Sequence, residues 1–338
     1  MGKIVGLDIG ESSVKMAYFS GRELKKAVSA DLPDAMVSGG RILSMDAMAD
    51  FLKETAKKNG IPLTAAATTL PTAEIFTREI TMPAMTEQQL SYNLPYEFRD
   101  FLTEEKNKYF FDYAVHGIER DENGEPREMR IFACAMLKSA VEDYRAMFRR
   151  AGFKLKVLTP AECAYESLVQ GLEKRAGDPG ADRCIVNMGH QLTRLYLFHG
   201  GLNDGLREIE MGLAQLDELI AERFGVDIHV AHSYKESNYN GVLESDYARE
   251  FYNRLAVEVM KAVNFYHYNN RERQLTELYL CGGGCAIAPL RESIAELTKL
   301  PTFSGEALLP ESARPKEAPW LYLRAIGGVS EEIKGGLA

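Results

Sequence analysis

The chain has 338 residues, 46% of them hydrophobic and 26% charged, with a formal net charge of −9. That length suits two cores of about 150 residues rather than one. The acidic balance, without a basic stripe, excludes a duplex-binding protein and favours a basic or uncharged apolar partner.

In chain order, Lys3–Ile9 and Val14–Phe19 read as two strands joined by the tight turn Gly10-Glu11-Ser12-Ser13. A helix is expected over Met45–Lys58, with Ser44 as N-cap and Gly60 just past its end. Ala65–Thr69 has the composition of a buried strand. Ile75–Thr81 alternates and stops at Pro83, and a helical pattern over Glu87–Phe101 is broken by Pro95. Tyr109–His116 and Met129–Leu137 read as strands around the polar turn 121–124. The next helix carries a capping box of Ser139 and Glu142, the stripe Val141, Tyr144, Phe148 and Ala151, and the stop Gly152. Phe153–Leu158 is a further strand. Residues 72–150 thus form a small α+β insertion in the first half.

Gly177-Asp178-Pro179-Gly180 is the strongest boundary signal. It divides the chain into 1–71 plus 151–178 (first lobe core), 72–150 (insertion) and 179–338 (second lobe). Beyond it, Cys184–Met188 and Leu192–His199 are strands, and Leu213–Phe224 is a helix ended by Gly225. Ala248–Asn269 is a long amphipathic helix with Phe251, Leu255, Val259, Ala262 and Tyr266 on one face, within a helical subdomain at about 240–275. Leu278–Cys281 is a strand running into Gly282-Gly283-Gly284, and a short helix over Leu321–Ile326 ends at Gly327-Gly328.

One repeat organises these elements. Gly6-Leu7-Asp8-Ile9-Gly10 aligns with Ile185-Val186-Asn187-Met188-Gly189, which places Lys15 on Arg194 and Phe19 on Phe198. A strand, a short polar turn and a strand open each half. Backbone N–H groups at Gly10, the hydroxyls of Ser12 and Ser13 and the ammonium of Lys15 suit a phosphate. Asp8, at the strand end, suits the water shell of Mg²⁺. Gly189 and Gln191, beside His190, offer a second such turn, and Gly282, Gly283 and Gly284 leave backbone open to a flat ligand. Each feature alone also fits an ordinary turn.

Their order is more specific. GLDIGESSVK resembles the first phosphate loop of the actin-like ATP-binding superfamily that includes FtsA, VNMGHQLTRLYLF its second, and LYLCGGGCAIAPL its adenosine loop. AHSYKE, residues 231–236, resembles the segment before the adenine pocket, and Pro160-Ala161-Glu162-Cys163-Ala164 the link returning from the insertion. Within the superfamily the chain is most similar to the PilM family of type IV pilus assembly proteins, through GLDIGxSSVK, the stretch REITMP ending at Pro83, Phe111-Asp112-Tyr113 and the tail AIGGV. The resemblance implies an α/β, actin-like (ribonuclease H-like) two-lobed fold with an FtsA-type small subdomain inserted in the first lobe. It also implies ATP and Mg²⁺ as cofactors. Asp8, Gly10, Ser12, Ser13, Lys15, Gly189 and Gln191 would face the phosphates and the metal, and Lys235 with Gly282–Gly284 the adenosine. It further implies a groove beside the insertion for the cytoplasmic N-terminal peptide of a PilN-like inner-membrane protein, among other pilus assembly partners.

Two departures bear on that chemistry. Asn187 stands where the family carries Asp, and an amide supplies no charge to favour Mg²⁺. Glu11 sets a carboxylate in the phosphate turn. Binding is then weak or hydrolysis absent, with at most a weak ATPase and no catalytic residue assigned. The alternatives are a small-molecule kinase of the same fold, for which no acceptor-site carboxylate is evident, and a degenerate scaffold without nucleotide. Cys134, Cys163, Cys184, Cys281 and Cys285 lie mostly in apolar runs without a CxxC pair, as free thiols of a reducing compartment do. No signal peptide, membrane span, myristoylation pattern or terminal amphipathic helix is read. The expected location is cytoplasmic, reaching the membrane only through a partner.

Overall fold

The computed structural model describes residues 2–178, 180–330 and 332–333. Contacts divide the chain into two units, Met1–Ala164 with Arg324–Lys334, and Tyr165–Leu323.

In the first unit, β1 (Lys3–Ile9), β2 (Ser13–Ser20) and β3 (Glu23–Asp31) form an antiparallel meander. A two-residue pair, β4 (Val37–Ser38) and β5 (Arg41–Ile42), leads into α1 (Met45–Lys58). The N-cap is the one expected: the Ala47 N–H donates to Ser44 Oγ. β6 (Ala65–Leu70) then lies parallel to β1. The inserted segment is β7 (Phe76–Pro83), α2 (Glu87–Glu97), β8 (Tyr109–Arg120) and β9 (Pro126–Leu137), with strand order β7-β9-β8. Its own small core joins Leu90, Leu94 and Phe98 to Ile80, Met82 and Ile131. α3 (Lys138–Ala151) and β10 (Lys154–Pro160) complete the main sheet, in the order β10-β6-β1-β2-β3. One core packs Val5, Leu7, Val14 and Met16 against Leu52 of α1 and Phe148 of α3. α4 (Ala161–Ala176) carries the chain from one unit to the other.

The second unit holds β11 (Asp182–Met188), β12 (Thr193–His199) and β13 (Leu202–Ile209), then α5 (Leu213–Phe224), α6 (Ile228–Glu236) and α7 (Asp246–Asn269). β14 (Leu275–Cys281), α8 (Ala288–Thr298) and β15 (Thr302–Ser304) follow. The short α9 (Leu323–Gly327) starts at the end of this unit and passes into the first. The sheet order is β13-β12-β11-β14-β15, and the core is built on Val186, Leu195, Leu216, Phe251, Leu255 and Val259.

The two sheets repeat each other in detail. Each has a three-stranded meander and two strands added parallel on the far side of the first strand. Asp8 stands opposite Lys15, as Asn187 stands opposite Arg194. Gly10 N–H donates to Ser13 O at 3.0 Å, and Gly189 N–H to Leu192 O at 3.0 Å. Even the register shift in the meander recurs, at Tyr18/Phe19 and at Leu197/Phe198.

Several local expectations change. Pro95 does not break α2, which runs through it and stops at Glu97. A proline that near the end removes one backbone donor from the last turn and already has helical φ. The Ser139–Glu142 capping box is absent: α3 begins at Lys138, continuous with β9, and its N-cap Leu137 makes no side-chain cap bond. β3, mostly exposed, and β13, mostly half-buried and interrupted by Asn203, Asp204 and Gly205, lack the regular alternation from which a strand is expected. No helix among the described residues is long and apolar enough to cross a membrane.

Candidate functional site

The first unit gathers charge at the end of β1. Asp8 is buried and pairs with Arg324: Nε donates to Oδ2 at 3.1 Å, and Nη2 lies 2.7 Å from Oδ1 as an ion-pair contact that leaves Oδ1 without a hydrogen-bond partner. Lys15, directly opposite Asp8 on β2, donates from Nζ to Ser13 Oγ at 2.6 Å. Burial pushes the Lys15 ammonium below its usual pKa, and Asp8 partly restores it. Thr69 faces Asp8 in the parallel register, and its hydroxyl is buried without a hydrogen-bond partner. Glu11 is tied down: its Oε1 accepts the N–H of Gly40, in the turn between β4 and β5. The carboxylate expected to oppose a phosphate is thus engaged by a neighbouring loop.

Arg324 reaches Asp8 because α9 lies directly on the backbone of β1. A Cβ on Gly6 would stand 1.8 Å from the Ala325 carbonyl oxygen, and one on Gly327 2.1 Å from that of Ala164. Both glycines are there for close approach, not for an unusual φ.

The second unit gathers a different set. Leu213 N–H donates to Gly189 O and Ala214 N–H to His190 O, at 3.0 and 2.8 Å, so the first turn of α5 is bonded to the hairpin turn itself. A Cβ on Gly212 would fall 2.3 Å from His190 O. Beneath the turn, Lys235 is 4% exposed and its Nζ lies 2.8 Å from both carboxylate oxygens of Asp217. His232 Nδ1 is 3.1 Å from Asp217 Oδ2. Burial works against the Asp217 carboxylate, but His232 and Lys235 outweigh it and hold its pKa below the ordinary value. The bond to Asp217 raises the pKa of His232, whereas burial, aided by Lys235, lowers that of His190.

These two histidines give opposite pH dependences. His232 contributes stability that is present below its unfolded value of 6.5 and is lost as the pH rises through its raised folded value. His190, held neutral, contributes stability that is lost as the pH falls below 6.5 towards its lowered value. Melting temperature against pH should fall on the alkaline side of 6.5, and His232→Gln should flatten that limb alone. An unchanged limb in the variant would remove the Asp217–His232 pair as its cause.

Of the remaining expected residues, Ser12 is half-buried in the first turn and Gln191 is exposed in the second. Within the triple glycine, Gly282 has φ +78 and a Cβ there would lie 2.4 Å from Asn187 Oδ1, while one on Gly284 would lie 2.6 Å from Met188 Cβ. Those two glycines let the turn after β14 press against β11. Gly283 is exposed. Arg324, Thr69, Asp217 and His232 were not legible as site residues. Asp217 did leave a signal, as a carboxylate on the apolar stripe of Leu213, Leu216 and Ile220.

A protein-held Mg²⁺ does not fit these residues. The Asp8 carboxylate is already paired with the Arg324 guanidinium, Asn187 carries no charge, and the described residues hold no group of three His, Cys, Asp or Glu side chains suited to a metal.

A family model described as type IV pilus assembly protein PilM matches residues 6–306. Among solved structures, a PilM–PilN type IV pilus biogenesis complex superposes with a TM-score of 0.81 at 21% identity, covering 98% of this chain and 98% of that one. The ethanolamine utilization protein EutJ from Carboxydothermus hydrogenoformans does so with a TM-score of 0.59 at 13% identity, covering 96% and 88%. At such identities the likeness concerns the fold, which is the actin-like α/β fold expected from the sequence.

Proposed function

The chain belongs to the type IV pilus assembly protein PilM family, and from that premise we propose that it is an actin-like cytoplasmic scaffold of pilus assembly that binds the N-terminal peptide of a PilN-like inner-membrane protein. Membership of the family carries this reading. The small subdomain of the first unit supports it: among the described residues β7 pairs only with β9 and leaves its other edge open. An extended peptide gains main-chain hydrogen bonds from such an edge and specificity from alternate side-chain pockets.

The apolar and aromatic residues of α2 and its C-terminal end fall into two groups. Leu90, Leu94 and Phe98 are buried in the subdomain's own core. Tyr92 and Tyr96 are exposed, with ring centroids 6.0 Å apart and the Lys106 ammonium 3.8 Å from the Tyr96 ring. Isothermal titration of the partner's cytoplasmic peptide should show binding that a Tyr92→Ala, Tyr96→Ala double variant weakens by ~10-fold, as loss of central aromatic anchors does. Equal binding by the variant places the peptide elsewhere. No binding by the intact protein removes the adaptor reading.

The same reading includes a nucleotide. Gly10, Ser12, Ser13 and Lys15 would serve its phosphates, Gly189 and Gln191 form a second turn of the same kind, and Gly282–Gly284 would serve the adenosine. Lys235, already committed to Asp217, would position the second turn from beneath. No observation favours the kinase alternative.

A further inference from the structure

We infer that the phosphate site of the first unit works without a divalent metal, the Arg324 guanidinium standing at Asp8 where a hydrated cation would otherwise bind. This rests on the nucleotide reading above and specifies its chemistry.

Asp8 is the only expected metal anchor in this half of the chain, and its carboxylate is paired with Arg324, which donates from Nε to Oδ2 at 3.1 Å and sets Nη2 2.7 Å from Oδ1. Both side chains are shielded, at 14% exposure for Arg324 and 6% for Asp8. The guanidinium charge is permanent, and it lies within ion-pair distance of both carboxylate oxygens. A hydrated Mg²⁺ would need the same oxygens, directly or through its waters.

The arrangement is built in rather than incidental. Arg324 lies on α9, whose neighbouring residue Ala325 touches β1 so closely that Gly6 has no room for a Cβ. Gly328 continues the approach, since a Cβ there would stand 3.2 Å from Thr69 Cγ2. A helix seated on backbone cannot slide away to vacate Asp8 while the first unit stays folded.

Charge makes the same point. Burial lowers the pKa of Lys15, Asp8 opposes that, and the neighbouring Arg324 adds to the lowering through space. Lys15 and Arg324 set two cations beside the hairpin turn, with Asp8 and Asp31 acting on Lys15, and the Thr69 hydroxyl, buried and without a partner, stands ready as a neutral donor. A phosphate chain needs such cations and donors, which elsewhere a metal helps to supply. The equivalent place in the second unit holds the uncharged Asn187 opposite Arg194, whose guanidinium pairs with Glu208 of β13.

Isothermal titration of ATP into the intact protein should return the same affinity in excess MgCl₂ and in excess EDTA, within about twofold. Arg324→Gln should lose about tenfold in EDTA, equivalent to one charge-assisted contact, and regain affinity when Mg²⁺ is added. Arg324→Lys, which keeps the charge, serves as the variant that holds the fold if glutamine does not. Wild-type binding that requires Mg²⁺, or an Arg324→Gln variant unchanged in EDTA, overturns the inference. Electron paramagnetic resonance of Mn²⁺ decides the metal question without nucleotide. The wild type should take up none at this position, and Arg324→Gln should gain a site that an added Asp8→Asn removes. Uptake by the wild type that Asp8→Asn abolishes overturns the inference even if ATP binds. Failure of ATP to bind in either buffer sinks the nucleotide reading, and this inference with it, while the Mn²⁺ result still reports who holds Asp8.

Discussion

Gly6→Ala is expected to cost the first unit about 3 kcal/mol or more, the upper end of what an overpacked core loses. The added methyl would lie 1.8 Å from the Ala325 carbonyl oxygen and 2.9 Å from Val329 Cγ1. A flexible side chain could rotate aside, but the oxygen belongs to backbone. Either β1 shifts within a sheet bonded on both sides, or α9 lifts from it. Lifting α9 carries Arg324 away and strands the Asp8 carboxylate at 4% exposure, an added cost of a buried unpaired charge. Denaturant titration of Gly6→Ala beside Gly2→Ala is the measurement. A Cβ on Gly2 meets nothing within 4 Å, so that control should unfold with the wild type. A Gly6→Ala variant within about 1 kcal/mol of the wild type would mean that α9 can give way, since ordinary surface changes stay within about half that.

Arg183→Met is the second large effect, with an expected loss of about 3–5 kcal/mol in the second unit. Arg183 is 2% exposed on β11 and joins three carboxylates: Glu173 of α4 at 2.8 Å, Glu277 of β14 at 3.1 Å and Asp178 at 3.2 Å. Tyr279 Oη donates to the same Glu277. Removing the cation leaves Glu173 buried beside Gly201, where a Cβ would already fall 2.4 Å from its Oε2. Burial already pushes the Glu173 pKa up, against the pull of Arg183. Without Arg183 it rises further, so the folded variant binds a proton the unfolded chain releases. Its deficit should therefore shrink as the pH falls towards the raised pKa. Adding Glu173→Leu should recover part of the loss at neutral pH, because an apolar pair replaces a broken ionic one. A single-variant loss below about 1 kcal/mol, or a deficit that grows in acid, would show that the cluster is solvated in the folded protein.

The sequence by itself determined the local elements and their repetition. Short apolar runs around a tight turn marked β1 and β2, caps marked α1, the helical period marked α3 and α7, and Ser44 and Gly152 are ends that the backbone confirms. The likeness of the two hairpins was legible because strand, turn and strand are set by neighbouring residues, whose dihedral preferences and two-residue period stay visible in one chain. It extends to the Gly10–Ser13 and Gly189–Leu192 hydrogen bonds. Tertiary structure alone decided what the turn residues face. Asp8 and Arg324 are 316 positions apart, and no periodicity links residues at that distance. Lys235 is paired with Asp217, 18 residues away on another helix, a contact that no local pattern announces. The glycines show the same division. Gly152 could be read as a helix stop from its neighbours, whereas Gly6 in the middle of a strand acquires its reason only when α9 arrives, because steric exclusion depends on which backbone lies opposite.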